Sequence, residues 1–297
     1  MDFPSRLGLG TAPLGGLYSA VTDEEARAVV DRAWELGIRV FDTAPLYGSG
    51  LAEQRVGEAL RARPRDEYLL STKVGRLLRP GTPDGSFAGA PPLAPCFDFS
   101  YEAALRSLEE SLERLGLDRV DIVLIHDPDD HYDEAVAGAY RAVERLRAEG
   151  VVDAIGAGMN QSELLVRFAR ETDVDCVLVA GRYTLLDRRA GEELLPLCEE
   201  RGIAVVAAGV FNSGVLADGE TFDYAPAPAA VRARVAELRE ASVRWEVPLT
   251  AAALQFPARH PAVACVLVGC RSPGEIEQDV ALFGRPVPDG LWTDLAG

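Results

Sequence analysis

Four polar residues stand where apolar runs stop: Asp42 after IRVF, Tyr47 five positions later in DTAPLYG, Lys73 closing YLLSTK and His126 closing VDIVLIH. Lys73 is the single lysine among 30 lysine and arginine residues. Its compact ammonium on a thin stem fits places that the wide, permanently charged guanidinium does not. Singly, each residue has a plain structural reading: Asp42 caps a turn, Tyr47 is a half-buried aromatic, Lys73 reaches water and His126 is a satisfied core histidine. Together they are harder to explain that way, because burying Asp and Lys is costly unless they are paired.

The chemistry open to such a set follows from the tyrosine. With an ordinary pKa near 10, a phenol is a poor base at neutral pH. An ammonium about 4 Å from the phenolate contributes on the order of 4 kcal/mol at an effective dielectric near 20, enough to lower that pKa by about three units before desolvation is subtracted. Lys73, held by Asp42, is therefore expected to lower the pKa of Tyr47. His126 is expected to hydrogen-bond a substrate oxygen beside the phenol. Removing the hydroxyl proton in this way while hydride leaves the carbon that bears that oxygen requires a hydride acceptor, which no side chain provides. The set thus implies a nicotinamide cofactor, although the chain has no GxGxxG fingerprint in the strand-to-helix context that motif needs.

Positioning four such groups requires strands that end at one place. Short apolar runs begin at Leu7, Ile38, Tyr68, Val120, Asp153, Asp175, Ile203 and Ala264, and amphipathic stretches separate them. Thr22 and Glu25 form a capping-box pattern, and Leu105, Leu108, Leu112 and Leu115 make a helical stripe. Further helices are expected near 51–62, 133–149, 161–171, 188–201, 229–245, 249–258 and 273–283. Eight strands alternating with helices spell an α/β fold, the closed (β/α)8 TIM barrel, whose active sites lie at the C-terminal ends of the strands. No composition shift divides the chain, so one domain over 1–297 is expected. The long stretches RPGTPDGSFAGAPPLAPCFDF and FNSGVLADGETFDYAPAP follow strands and are candidate substrate walls or lids.

Composition narrows the partners. The 297 residues carry a formal net charge of -17 with a pI near 4.7. Such a field repels a phosphate backbone and an anionic membrane surface, so neither nucleic acid nor membrane is an expected partner, whereas local amides and arginines still hold a nucleotide. Five scattered cysteines without a CxxC pair indicate neither a disulfide framework nor a metal site. No apolar run reaches membrane-spanning length and the N-terminus has no signal-peptide pattern, so a cytoplasmic monomer or small homo-oligomer is expected.

The segments LGLGTAPLGG, FDTAPLYGSGLAEQRVGEAL, STKVG, LERLGLDRVDIVLIHD and VLVGCRSPGEIEQDV resemble the aldo-keto reductase superfamily across nearly the whole chain. The resemblance implies a β/α barrel with catalytic Asp42, Tyr47, Lys73 and His126. HDPDDH, GAGMNQSE, AGRYTLLD and AGVFNSGVLA are similar to a narrower branch, sugar 1-dehydrogenases of the D-threo-aldose or L-fucose dehydrogenase type. It implies oxidation of an aldose such as L-fucose, D-arabinose or L-galactose to its lactone with NAD or NADP.

By the same resemblance, Gly10, Thr11, Asp42, Asn160, Gly269, Arg271, Glu275 and Asp279 are the cofactor residues. Met159, Ala180 and Ala208 or Gly209 depart from the usual nicotinamide grip, and Asp279 replaces an adenine-facing asparagine. Glu275 falls where relatives using NADP carry arginine, and a carboxylate repels a 2'-phosphate, so NAD is favoured, with Arg271 leaving NADP open. Tyr18, Tyr47, His126 and Asp127 are the expected substrate contacts, with Asp129 and Asp130 beside them. A reductase of small aldehydes or ketones, a pyridoxal-type dehydrogenase and a non-catalytic nucleotide-binding barrel are the alternatives.

Overall fold

The computed structural model describes residues 2–296. Eight parallel strands close into a barrel in the order β1-β12-β9-β8-β7-β6-β3-β2. They are β1 (Leu7–Gly10), β2 (Val40–Asp42), β3 (Leu69–Val74), β6 (Ile122–His126), β7 (Ala154–Met159), β8 (Cys176–Ala180), β9 (Ala204–Ala208) and β12 (Val263–Val268). Each falls within or beside an apolar run read as a strand. Two antiparallel hairpins lie outside the barrel: β4 (Arg76–Pro80) with β5 (Leu93–Phe97), and β10 (Thr221–Phe222) with β11 (Ala225–Pro226). β5, β10 and β11 lie in the stretches read as irregular loops and β4 runs into the first of them, where short, proline-bearing strands carry almost no alternation.

The helices around the barrel are α1 (Asp23–Glu35), α2 (Leu51–Leu60), α3 (Tyr101–Leu115), α4 (Tyr132–Ala137), α5 (Ala139–Ala148), α6 (Ser162–Glu171), α7 (Leu194–Arg201), α8 (Ala229–Arg244), α9 (Leu249–Ala258), α10 (Pro273–Phe283) and α11 (Asp289–Ala296). The Thr22–Glu25 capping box is formed at α1. Ser100 caps α3, whose Leu108 and Leu115 are buried against the barrel. The helix expected over 133–149 is instead two helices. Gly138 breaks it where a Cβ would lie 2.4 Å from the Phe99 carbonyl oxygen, so the backbone passes too close for any other residue. The helix expected over 188–201 begins as a 3-10 turn and becomes α7 only at Leu194.

Strand periodicity sets the interior. Val40 and Asp42, then Leu69, Ser71 and Lys73, then Ile122, Leu124 and His126 are alternate residues, and those on one face of each strand point into the barrel. Val40, Leu69, Ile122, Leu124, Leu178 and Leu267 belong to one buried apolar cluster that plugs the lower barrel. Above them, parallel pairing sets Asp42 opposite Ser71, Lys73 opposite Leu124 and His126 opposite Gly158. The same two-residue period that fills the floor with aliphatic side chains therefore places three polar ones in its top layer. Cys176, Cys198, Cys265 and Cys270 are buried, and Cys96 is exposed.

Candidate active site

Lys73, only 1% exposed, is the hub of the top layer. Its Nζ donates to Asp42 Oδ1 at 2.6 Å, to the Thr43 carbonyl at 3.0 Å and to the Tyr47 hydroxyl at 3.1 Å. Ser71 Oγ donates to the other Asp42 oxygen at 2.6 Å, which fixes the carboxylate from below. Gly158 leaves open the space beside the lysine stem, since a Cβ there would already touch Lys73 Cε at 3.6 Å. His126 meets Tyr47 edge to face, with ring centroids 5.8 Å apart and planes at 90°. The three strand ends and the loop after β2 thus bring all four expected groups together.

The electrostatics add burial and Asp42 to the expected pull of Lys73. Burial raises the pKa of the Tyr47 phenol above its ordinary value; Lys73 pulls it down and Asp42 pushes it up again. Lys73 acts in the expected direction, but the net shift is upward, because a desolvated phenolate beside an ion pair sees the anion as well as the cation. Burial alone would lower the Lys73 pKa, yet Asp42 and Tyr47 reverse that and hold the ammonium charged. Burial, helped by Arg76 and Lys73, drives the His126 pKa well below its ordinary value, so the imidazole is neutral at pH 7.

Asp127 follows His126 with a left-handed backbone, φ 41°. Its Oδ2 accepts from Arg76 Nη2 at 2.6 Å and lies 3.5 Å from His126 Nε2. Burial raises its pKa and Arg76 opposes that. Arg76, which also lies over the Phe97 ring at 4.8 Å, was invisible in the sequence reading because it belongs to the unexpected β4. Asp130 is exposed, and Asp129 is engaged by the Gln161 side-chain amide. Neither joins the buried group.

Most of the expected cofactor residues follow the neighbouring strands β2, β1 and β12, and Asn160, past β7, stands across the mouth from them. Gly10 pairs in register with Asp42, and the Thr11 amide donates to the Asp42 carbonyl at 2.9 Å. Gly269, at the end of β12, adjoins that turn, for a Cβ there would meet Pro13 Cγ at 2.8 Å. Arg271 and Ser272 lead into the N-terminus of α10, where the Ser272 hydroxyl caps the Glu275 amide. Asn160 stands just past β7. Asp279 departs from expectation: it is 9% exposed, its carboxylate takes the Cys270 thiol at 3.4 Å, and burial pushes its pKa up to about 6.

Two buried polar atoms along this route have no partner, Thr11 Oγ1 beside Asp42 and Asn212 Oδ1 in the loop after β9. Together with the α10 N-terminus they fit a nucleotide laid from α10 across to the mouth. Among the described residues no cluster of ligands suited to a metal ion occurs. No helix among them is long and apolar enough to cross a membrane.

A closed β/α barrel thus carries a buried Asp–Lys pair hydrogen-bonded to a tyrosine, beside a neutral histidine at the strand ends. The chain belongs to the Aldo/keto reductase family, whose profile matches residues 6–295. It is 44% identical to a D-threo-aldose 1-dehydrogenase of Pseudomonas sp, over 98% of this chain and 92% of that one. It is 42% identical to a pyridoxal 4-dehydrogenase of Microbacterium luteolum, over 98% and 93%. An aldo-keto reductase of Bacillus halodurans, solved in its holo form, superposes with a TM-score of 0.80 at 28% identity, covering 100% of this chain and 94% of that one. The protein is thus an oxidoreductase acting on an aldehyde-type substrate, and enzymes of this family use NAD(P)H.

Proposed function

We propose that the protein is an NAD-preferring aldose 1-dehydrogenase, a single barrel domain in which Asp42, Tyr47, Lys73 and His126 are the catalytic residues. The observation that carries this reading is the Lys73 hub, in which a buried ammonium joins a carboxylate to a phenol at the mouth of the barrel. Bound NAD supplies the hydride acceptor. Tyr47 takes the proton of the anomeric hydroxyl as the C1–H bond is broken and its electron pair leaves as hydride. The oxygen keeps the electrons of its O–H bond and closes a C=O double bond, which makes the lactone. Neutral His126 donates from Nε2 to that oxygen, sharing its direction with Asp127, which accepts a neighbouring sugar hydroxyl. Run backwards, with Tyr47 as acid, the same groups reduce an aldehyde.

The 44% identity to an aldose 1-dehydrogenase supports the sugar reading. The nearly equal 42% identity to a pyridoxal 4-dehydrogenase favours a second one, in which the aldehyde is carried on a pyridine ring. Cofactor reduction with L-fucose, D-arabinose and L-galactose, compared with pyridoxal, separates the two. Turnover of an aldose with higher kcat/KM than pyridoxal is the expected result, and turnover of pyridoxal alone overturns the sugar reading.

The preference for NAD rests on Glu275. Its carboxylate accepts from the Arg271 amide at 2.7 Å and lies 3.4 Å from Arg271 Nη2. The arginine that would greet a 2'-phosphate is therefore already paired with an acid. Glu275→Arg frees it and adds a second cation, and a charge-assisted hydrogen bond is worth about 1.5–3 kcal/mol, or roughly tenfold to a hundredfold in affinity. The ratio of dissociation constants for NADP and NAD, read by quenching of tryptophan fluorescence, is expected to fall by at least about tenfold. An unchanged ratio removes Glu275 from the account.

A further inference from the structure

Loops leaving β1 and β9 meet at the rim of the mouth through two tyrosines. Tyr18 and Tyr224 have ring centroids 6.4 Å apart, tilted by 32°. Both are large, exposed aromatics, at 53% and 60%, and both hold left-handed backbones, with φ of 68° and 64°. A residue other than glycine keeps such a φ only where its surroundings enforce it.

The enforcement is visible. The Tyr18 amide donates to the Ser86 carbonyl at 3.2 Å. Tyr224 sits at the tip of the β10–β11 hairpin, where its amide donates to Ser213 Oγ at 3.0 Å. Its neighbour Asp223 accepts from Arg182 Nη1 at 3.0 Å, and Arg182 Nε donates in turn to the Asn160 carbonyl at 2.7 Å. The hairpin is thereby bolted to the ends of β7 and β8.

The bolt aims the side chain. The Tyr224 phenol lies within reach of the fields of Tyr47, Tyr18 and Asp127, beside Asn160. The ring is open to solvent and stands over the mouth. His126 and Asp127, at the end of β6, supply polar groups to the same mouth. A site with hydrogen-bonding groups on one side and a fixed aromatic face on the other matches a cyclic sugar, whose hydroxyls radiate from the ring edge and whose C–H face is apolar.

We propose that Tyr224, supported by Tyr18, is a specificity-determining residue, the aromatic wall against which the ring of a cyclic substrate rests as its reacting carbon faces Tyr47. The inference rests on the aldose reading, and it singles out one residue of the stretch after β9 that is a candidate substrate wall or lid. It makes the site discriminate ring-bearing substrates from small acyclic aldehydes.

The test compares wild type, Tyr224→Ala and Tyr224→Phe on L-fucose oxidation and on propanal reduction, with pyridoxal replacing L-fucose if the wild type turns over no aldose. Tyr224→Ala is expected to raise KM for the ring-bearing substrate about fivefold to tenfold with little change in kcat, to leave KM for propanal within about twofold, and Tyr224→Phe to restore most of the loss. The dissociation constant of NAD, read by tryptophan fluorescence, is expected to stay within about twofold. Equal increases in KM for both substrates, an unchanged KM for the ring-bearing one, or NAD weakened as much as the substrate each overturn the proposal. If no aldose reacts but the pyridoxal arm behaves as expected, the aldose reading fails and the aromatic wall stands.

Discussion

Tyr47→Phe is expected to lower kcat/KM for aldose oxidation by about 10²–10⁴-fold, the share that a positioned acid or base contributes to such a reaction. The ring still fills its place between Phe87 and His126, with centroids 6.2 and 5.8 Å away, so neither fold nor cofactor affinity should move. What is lost is the hydroxyl that Lys73 holds at the mouth. Steady-state kinetics together with the dissociation constant of NAD separate the two effects. Retention of more than about a tenth of the activity would remove the phenol from the proton transfer, whereas loss of NAD binding would show the substitution to act through the cofactor site.

Lys73→Met acts on the same phenol through its pKa. The base is the phenolate, so oxidation rises as the pH passes upward through the Tyr47 pKa, already above the ordinary value because of burial. Lys73 is the foremost influence in the opposite direction, ahead of the upward push from Asp42. Removing the ammonium therefore raises the pKa further, even if Asp42 takes up a proton in response. Turnover at pH 7 is expected to fall by roughly 10²-fold or more, with the rising limb of the pH profile displaced to higher pH. The substitution also strands a carboxylate that is 3% exposed, and breaking a buried pair costs about 3–5 kcal/mol. Asp42→Asn combined with Lys73→Met should recover much of the lost Tm without the activity. A profile that keeps its wild-type limb after Lys73→Met would detach the lysine from the phenol.

How far the chain could be read before folding depends on the kind of signal each part carries. The barrel strands are short apolar runs spaced by amphipathic ones, and burial alone is enough to mark them. Asp42, Lys73 and His126 stood out because each interrupts such a run on its inward-facing period. Arg76, Arg182 and Tyr224 did not, because each is one of many arginines or tyrosines in a stretch without periodicity, and its place depends on a distant partner: Asp127, Asp223 or Tyr18. The break at Gly138 likewise depends on Phe99, which lies on the chain segment before α3. The net direction of the Tyr47 shift is illegible for a related reason. The Lys73 contribution follows from a pair of residues, whereas the desolvation and the Asp42 field that outweigh it exist only once β2 and β3 are side by side.

The central claim is that hydride leaves the anomeric carbon of an aldose for NAD at this mouth. L-fucose, D-arabinose and L-galactose labelled with deuterium at C1, each incubated with the protein and NAD, test it directly by mass spectrometry of the reduced nucleotide. The account predicts deuterium on the nicotinamide for at least one sugar and almost none with Tyr47→Phe. Reduced nucleotide without the label, or no reduction with any of the three, would contradict it.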